Sequence, residues 1–171
     1  MRSPAIPAVA VLVLCFAAGP AAGEYPWPKP QSFEVELAPV GESDVTGTAH
    51  LVLRGDRLTV LVRAFGLDPT KIHPLIIHGF PHGRASTCPD AAPAVQETSS
   101  FDVEDVRSAF GFDLIGLDPS PAADRGGTVA FEHAYDIDAE TVAPLSRRTL
   151  VLYHESGIPI ACGEIRGYLS G

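Results

Sequence analysis

The stretch of the chain richest in potential metal ligands is HPLIIHGFPHGRASTC, residues 73–88. It holds Cys88 and three of the six histidines of the chain: His73, His78 and His82. Imidazole and thiolate groups are the ligands that copper and zinc prefer in proteins. However, the apolar Ile76 stands where a tight metal site would need a further ligand. Three interpretations stay open: a working metal site, a weakened one, or histidines with a structural role.

The first 23 residues have the pattern of a secretory signal peptide. Arg2 precedes the apolar run AIPAVAVLVLCFAAGP, and the small residues AAG follow it. We therefore expect an exported protein whose mature chain begins at Glu24. The apolar run is too short, and too interrupted by glycine and proline, for a transmembrane helix. Lipidation at Cys15 is disfavoured, because the large Leu14 precedes it where lipoprotein signals carry a small residue.

The charge of the chain bears on its partners. The net charge is −9, and removal of Arg2 with the signal peptide would make it −10. An acidic protein of this kind repels nucleic acid and anionic lipid. We therefore expect no nucleic-acid partner, and instead an extracellular protein or a cell-surface partner whose identity the sequence does not reveal.

Two of the three cysteines, Cys88 and Cys162, remain after removal of the signal peptide. In an exported protein, an even pair of cysteines is expected to form a disulfide. The closed loop of about 75 residues would stabilise the fold by roughly 4 kcal/mol in the chain-entropy treatment. The alternative is a nucleophilic Cys88 close to His82, which an oxidising compartment disfavours.

The rest of the chain has the pattern of short β-strands. Residues 24–44 contain the proline-rich segment EYPWPKPQ, expected to be an extended spacer, followed by a first strand in SFEVELAPV. Residues 45–171 form one predicted β domain. It opens with GTAHLVLRGDRLTVLVRAFGL, in which Gly55-Asp56 suits a two-residue hairpin turn. Seven or eight strands at this spacing predict an all-β fold, a Greek-key β-sandwich or flattened barrel.

Three segments of this domain resemble, in order, landmarks of the copper/zinc superoxide dismutases. They are GLDPTKIHPLIIHGF, RRTLVLYHE and IACGEIRG. Those enzymes carry a Gly-Leu followed by a His-x-His-x-Phe strand, then an Arg-Thr-Leu-Val-x-His-Glu strand and an Ala-Cys-Gly strand. The segments IIHGF and CGEIRGYL also resemble CHRD (chordin-type) domains, which carry His-Ile-His-Gly and end in Gly-Glu-Ile-Arg-Gly. The resemblance covers roughly residues 45–168.

The resemblance implies a superoxide dismutase-like fold and assigns expected roles to individual residues. His78 and His154 match copper ligands of the dismutases, and His73 matches a histidine that supports the site without binding metal. Cys88 and Cys162 match the cysteines that form the disulfide of those enzymes. Copper is therefore the possible cofactor, and His82 or His50 is a candidate to complete the ligand set.

Departures from the dismutase pattern weaken the expectation of an enzyme. Ile76 replaces the first copper histidine, and the stretch between Cys88 and Gly126 contains no histidine to supply the zinc ligands. Ile158 or Pro159 stands where the dismutases carry the arginine that attracts superoxide. We therefore expect a secreted binding or structural module with at most a weak copper site. The alternative is a copper-only, superoxide dismutase-like oxidoreductase.

Overall fold

The computed structural model describes residues 28–89, 108 and 110–168, which contain nine β-strands and a short helix, and Ser108 and Phe110 are also helical. The predicted signal peptide, residues 1–23, lies outside the described residues. The strands are β1 Gln31–Pro39, β2 Thr46–Arg54, β3 Arg57–Phe65, β4 Leu75–Gly79, β5 Phe112–Leu117, β6 Val129–Asp136, β7 Thr149–Tyr153, β8 Pro159–Glu164 and β9 Arg166–Gly167. The helix, α1, spans Ala139–Val142, and 3-10 turns lie at Pro81–Gly83 and Leu145–Arg147.

The strands pair antiparallel in the order β5-β4-β7-β8-β1-β2-β3-β6, and β9 adds to β1. The β3–β6 and β4–β7 pairs each join strands that are separated by two others along the chain, which is a Greek-key type of connection. Ala38 and Pro39 at the end of β1 pair with Cys162 and Ala161 of β8 and so link the two halves of the sheet. The all-β, antiparallel fold and its single disulfide confirm the predicted fold class.

The main core lies between the two halves of this curled sheet. In β1, Phe33, Val35 and Leu37 are buried while Glu34 and Glu36 are exposed, as the two-residue period of a half-buried strand requires. Leucine, valine and isoleucine side chains from both halves meet in one cluster. The β2–β3 hairpin turns at Gly55-Asp56, and Gly55 adopts a φ of +59°, which glycine tolerates without a steric cost.

A second, smaller core covers the opposite face of the half that contains β4, β7 and β8. Along β7, Leu150 and Leu152 point into the main core, whereas Val151 and Tyr153 point into the second one. Phe110 packs over this layer with only 1% of its surface exposed. The disulfide between Cys88 and Cys162 lies in the same layer, with the two Cα atoms 5.8 Å apart. The layer thus isolates the side chains of β4 and β7 from solvent.

Arg148 holds the loops that follow β4 and α1 together. Its side chain is only 3% exposed and donates hydrogen bonds to the backbone carbonyl oxygens of Phe80, Val142 and Ala143. Burial lowers the pKa of its guanidinium group from the ordinary value. No carboxylate pairs with Arg148 in the described ranges, so carbonyl dipoles compensate its buried charge.

Across residues 28–89 and 110–168, no helix is long and apolar enough to cross a membrane.

Candidate functional site

His78 lies on β4 and is fully buried in the second core. Its Nε2 atom is 2.8 Å from the hydroxyl oxygen of Tyr153 on the neighbouring strand β7. The rings of Phe110 and Tyr153 each have their centroid 5.8 Å from that of His78. The imidazole is therefore enclosed by aromatic side chains, and its Nε2 atom is already engaged.

The other nitrogen of His78 faces a carboxylate. Nδ1 lies 3.1 Å from Oδ1 of Asp113 on β5, a distance that permits an ion pair. Nevertheless, Nδ1 is the one buried side-chain nitrogen or oxygen in the described part of the chain without a well-aligned hydrogen bond. The short distance and the missing bond are compatible, because a contact of this length with poor alignment attracts electrostatically without forming a good hydrogen bond. Asp113 itself is 71% exposed, so water weakens this attraction.

Burial keeps both His78 and Tyr153 in their neutral forms. Desolvation lowers the pKa of His78 from its ordinary value, while the carboxylate of Asp113 and the backbone of Gly111 act in the opposite direction without reversing it. Desolvation, and then the charge of Asp113, raise the pKa of Tyr153. Because a carboxylate only accepts hydrogen bonds, we assign the proton of the neutral imidazole to Nδ1 and let Tyr153 donate to Nε2.

His154 takes part in a different cluster at the end of β7. Its Nε2 atom is 2.9 Å from Oδ2 of Asp68, and its Nδ1 atom is 2.7 Å from the hydroxyl oxygen of Ser156. The backbone N–H of Ser156 also donates to Nδ1, over 3.1 Å. Nδ1 is therefore the acceptor, so Nε2 carries the hydrogen and donates to Asp68. Both imidazole nitrogens of His154 are thus satisfied by protein groups.

His73 is fully buried next to this cluster. Its Nδ1 and Nε2 atoms each lie 3.2 Å from a backbone carbonyl oxygen, of Tyr153 and Asp68 respectively. The ring centroids of His73 and His154 are 6.4 Å apart. The structure therefore brings His73 and His154 together, whereas the partners of the His78 ring are Tyr153, Phe110 and Asp113.

The two histidines considered as additional ligands both lie on the surface. His82 is exposed on the 3-10 turn Pro81–Gly83, with a φ of +58°. His50 is exposed in β2, paired with Glu34 of β1 and Leu61 of β3. No ring contact or hydrogen bond joins either of them to His78 within the described residues.

The donor set provides a test of whether these residues fit copper. A redox-active copper ion needs three or four nitrogen ligands in one place. Within residues 28–89 and 110–168, no group of three or more histidine, cysteine, aspartate or glutamate side chains could hold a metal ion. The described residues therefore do not fit a complete copper centre. A weaker site using His78, His154 or His82 stays a prediction.

Tyr153, Asp113 and Asp68 contact the histidines, and the sequence analysis assigned none of them to a site. One signal for Tyr153 was present in RRTLVLYHE, which has two residues between Val151 and His154 where the dismutase pattern has one. The pairing of β7 with β8 shifts register between Leu152 and Tyr153. Tyr153 occupies the face of β7 that looks toward His78, and His154 lies beyond the end of the strand.

No protein-family model matches the chain, and no curated protein matches it either. The resemblance to dismutases and CHRD-type domains therefore depends on the quoted segments alone.

Proposed function

We propose that the chain is an exported binding or structural module of the CHRD-like and superoxide dismutase-like type, and that it does not act as a copper oxidoreductase. The observation that carries this proposal is the hydrogen bond between Tyr153 and Nε2 of His78. A phenol at its ordinary protonation state is a poor copper ligand, and here burial disfavours its ionisation further. One of the two imidazole nitrogens of His78 is thus engaged by a group that keeps its proton.

Charge gives a second argument against dismutation. Superoxide is an anion, and the chain carries a net charge of −9. Asp68 and Asp113, both more than half exposed, lie beside His154 and His78 respectively. Local negative charge at both histidines disfavours the approach of an anionic substrate.

Export is part of the proposal. The disulfide between Cys88 and Cys162 is stable in an oxidising compartment and would be reduced in most cytosolic environments. The signal-peptide pattern of residues 1–23 also supports export. The partner would then be an extracellular protein or a cell-surface component. Intact-mass measurement of exported protein should give a chain that begins at or near Glu24, and an acylated Cys15 would contradict this.

The enzymatic alternative is tested by loading the exported protein with copper. After desalting, we expect less than stoichiometric copper and no measurable dismutation of superoxide. His78→Gln, His154→Ala and, as an exposed control, His50→Ala should all behave like the unmodified protein in the activity assay. Retention of one copper per chain, with a fast dismutation rate that His78→Gln or His154→Ala abolishes and His50→Ala does not, would establish the copper-only enzyme instead.

A further inference from the structure

An apolar groove opens at the end of the fold where β1 begins. Its volume is about 290 Å³. The floor consists of four side chains of the main core, and the wall includes exposed Ala143 and Pro144. The floor residues are Phe33, Leu53, Val142 and Leu145. These floor side chains are at most 8% exposed, and Gln31, Glu140 and Ser146 also line the groove.

The described chain begins close to this groove. Gln31, the first residue of β1, is itself part of the groove wall. Pro28 lies on the β2–β3 turn, with its Cγ atom 3.4 Å from the position that a Cβ atom on Gly55 would take. Leu53, which precedes that turn, belongs to the groove floor. The backbone that leads into β1 therefore starts at the same end of the fold as the groove.

Trp27 immediately precedes Pro28 and is the only tryptophan of the chain. It is joined to Pro28 by one peptide unit, so the two Cα atoms lie about 3.8 Å apart. The indole is therefore attached at the end of the fold where the groove opens. Pro28 and Pro30 restrict the chain on both sides of Lys29, and this reduces the entropy lost when the segment becomes ordered.

We propose that the indole of Trp27 docks into this groove and covers the main-core side chains at its floor. An indole buries a large apolar surface and needs a hydrogen-bond partner for its N–H group. The carboxylate of Glu140 and the hydroxyl of Ser146 lie at the groove and can accept such a hydrogen bond. The groove thus offers apolar contacts for the ring and polar acceptors for its one donor. The N-terminal segment is then the last packed element of the fold, and its docking does not depend on the histidines.

Fluorescence of the exported full chain tests the proposal directly, because the emission comes from Trp27 alone. We expect an emission maximum at a shorter wavelength than that of a water-exposed indole, and weak quenching by acrylamide. Ala143→Phe places a bulky ring in the groove wall and should shift the emission to longer wavelength and increase quenching. The matched control is Ala130→Phe, which makes the same change at an exposed alanine of β6 and should leave both readouts unchanged.

A stability measurement separates docking from a general disturbance of the fold. Trp27→Ala and Ala143→Phe should each lower the urea midpoint, and the double variant should be no less stable than the worse single variant. Water-like emission from the unmodified protein would overturn the proposal, as would equal responses to Ala143→Phe and Ala130→Phe. Short-wavelength emission that disappears on dilution would also overturn it, because the indole would then be held by a second copy of the chain.

Discussion

The hydroxyl of Tyr153 and the Nε2 atom of His78 form a 2.8 Å hydrogen bond inside a layer that solvent does not reach. His78 comes from β4 and Tyr153 from β7, so the bond joins two paired strands on the face opposite the main core. The same contact engages one of the two nitrogens with which His78 could bind a metal. The pair is therefore a structural connection at the position where the dismutase resemblance predicts a copper ligand.

Removal of the Tyr153 hydroxyl should destabilise the fold. In Tyr153→Phe the aromatic packing remains, but Nε2 of buried His78 loses its donor, which costs about 1–3 kcal/mol. Urea unfolding followed by circular dichroism measures this loss. Tyr168→Phe is the matched control, since Tyr168 is 56% exposed and its variant should unfold within about 0.5 kcal/mol of the unmodified protein. Equal stabilities of the two variants would show that the hydrogen bond contributes nothing.

Replacement of Tyr153 by histidine should create affinity for copper. Tyr153→His puts a second imidazole on the face of β7 that looks toward His78, and one additional nitrogen ligand should tighten Cu²⁺ binding by about tenfold or more. Isothermal titration calorimetry of the variant and the unmodified protein measures the change. The gain should vanish in the double variant with His78→Gln. A gain that persists there would mean that the metal binds elsewhere.

Loss of the disulfide should strongly destabilise the protein. Cys88 and Cys162 are 74 residues apart in sequence, and a closed loop of this length contributes roughly 4 kcal/mol in the chain-entropy treatment. Cys162→Ser and Cys88→Ser should therefore lower the free energy of unfolding by similar amounts. Thiol titration of the unfolded, unreduced mature chain should detect no free thiol, and two free thiols would contradict the bond in the exported protein.

The sequence was sufficient to predict the strands and their main turn. The alternation of Phe33, Val35 and Leu37 with glutamates indicated β1, and Gly55-Asp56 indicated the hairpin, because both signals depend on near neighbours in the chain. The disulfide was also predictable, since the two cysteines that remain after the predicted signal peptide allow only one pairing.

The surroundings of the histidines were not predictable in the same way. Asp68 and His154 are 86 residues apart in sequence, and His78 and Asp113 come from strands whose pairing only the folded sheet defines. The family pattern assigned the late ligand position to His154. In the structure, the pairing of β7 with β8 shifts register between Leu152 and Tyr153, and Tyr153 is the residue of β7 that bonds to His78.

Arg148 should tolerate no conservative replacement. Its guanidinium group donates to four backbone carbonyl oxygens, and the single ammonium group of lysine cannot reach all of them. We expect Arg148→Lys to lower the free energy of unfolding by about 3 kcal/mol. The neighbouring Arg147 is exposed and donates to Gly83, so Arg147→Lys should change stability by less than about 0.5 kcal/mol. Similar losses in both variants would argue against this role for Arg148.

Stability should decline at alkaline pH partly because of Tyr135. Burial, with a smaller effect from the charge of Asp118, raises the pKa of Tyr135 to about 12 from the ordinary value of 10.0. The unfolded chain therefore loses this proton first, so the contribution of the neutral phenol is complete below pH 10 and disappears between pH 10 and about 12. Tyr135→Phe should show a shallower decline of the urea midpoint over this range. An unchanged slope would contradict the assignment.

The disulfide also determines what a protease would leave behind. Cys88 follows β4 and Cys162 lies in β8, so any single cut between residues 89 and 161 produces two fragments that stay covalently joined. A cut before β5 would separate β1–β4 from β5–β9 along the chain, yet these two sets interleave in the sheet, where β4 lies between β5 and β7. A nicked molecule would therefore migrate as one species without a reductant and as two with it. In an environment rich in proteases, the bond would keep the two fragments in one molecule after a single cut of the backbone.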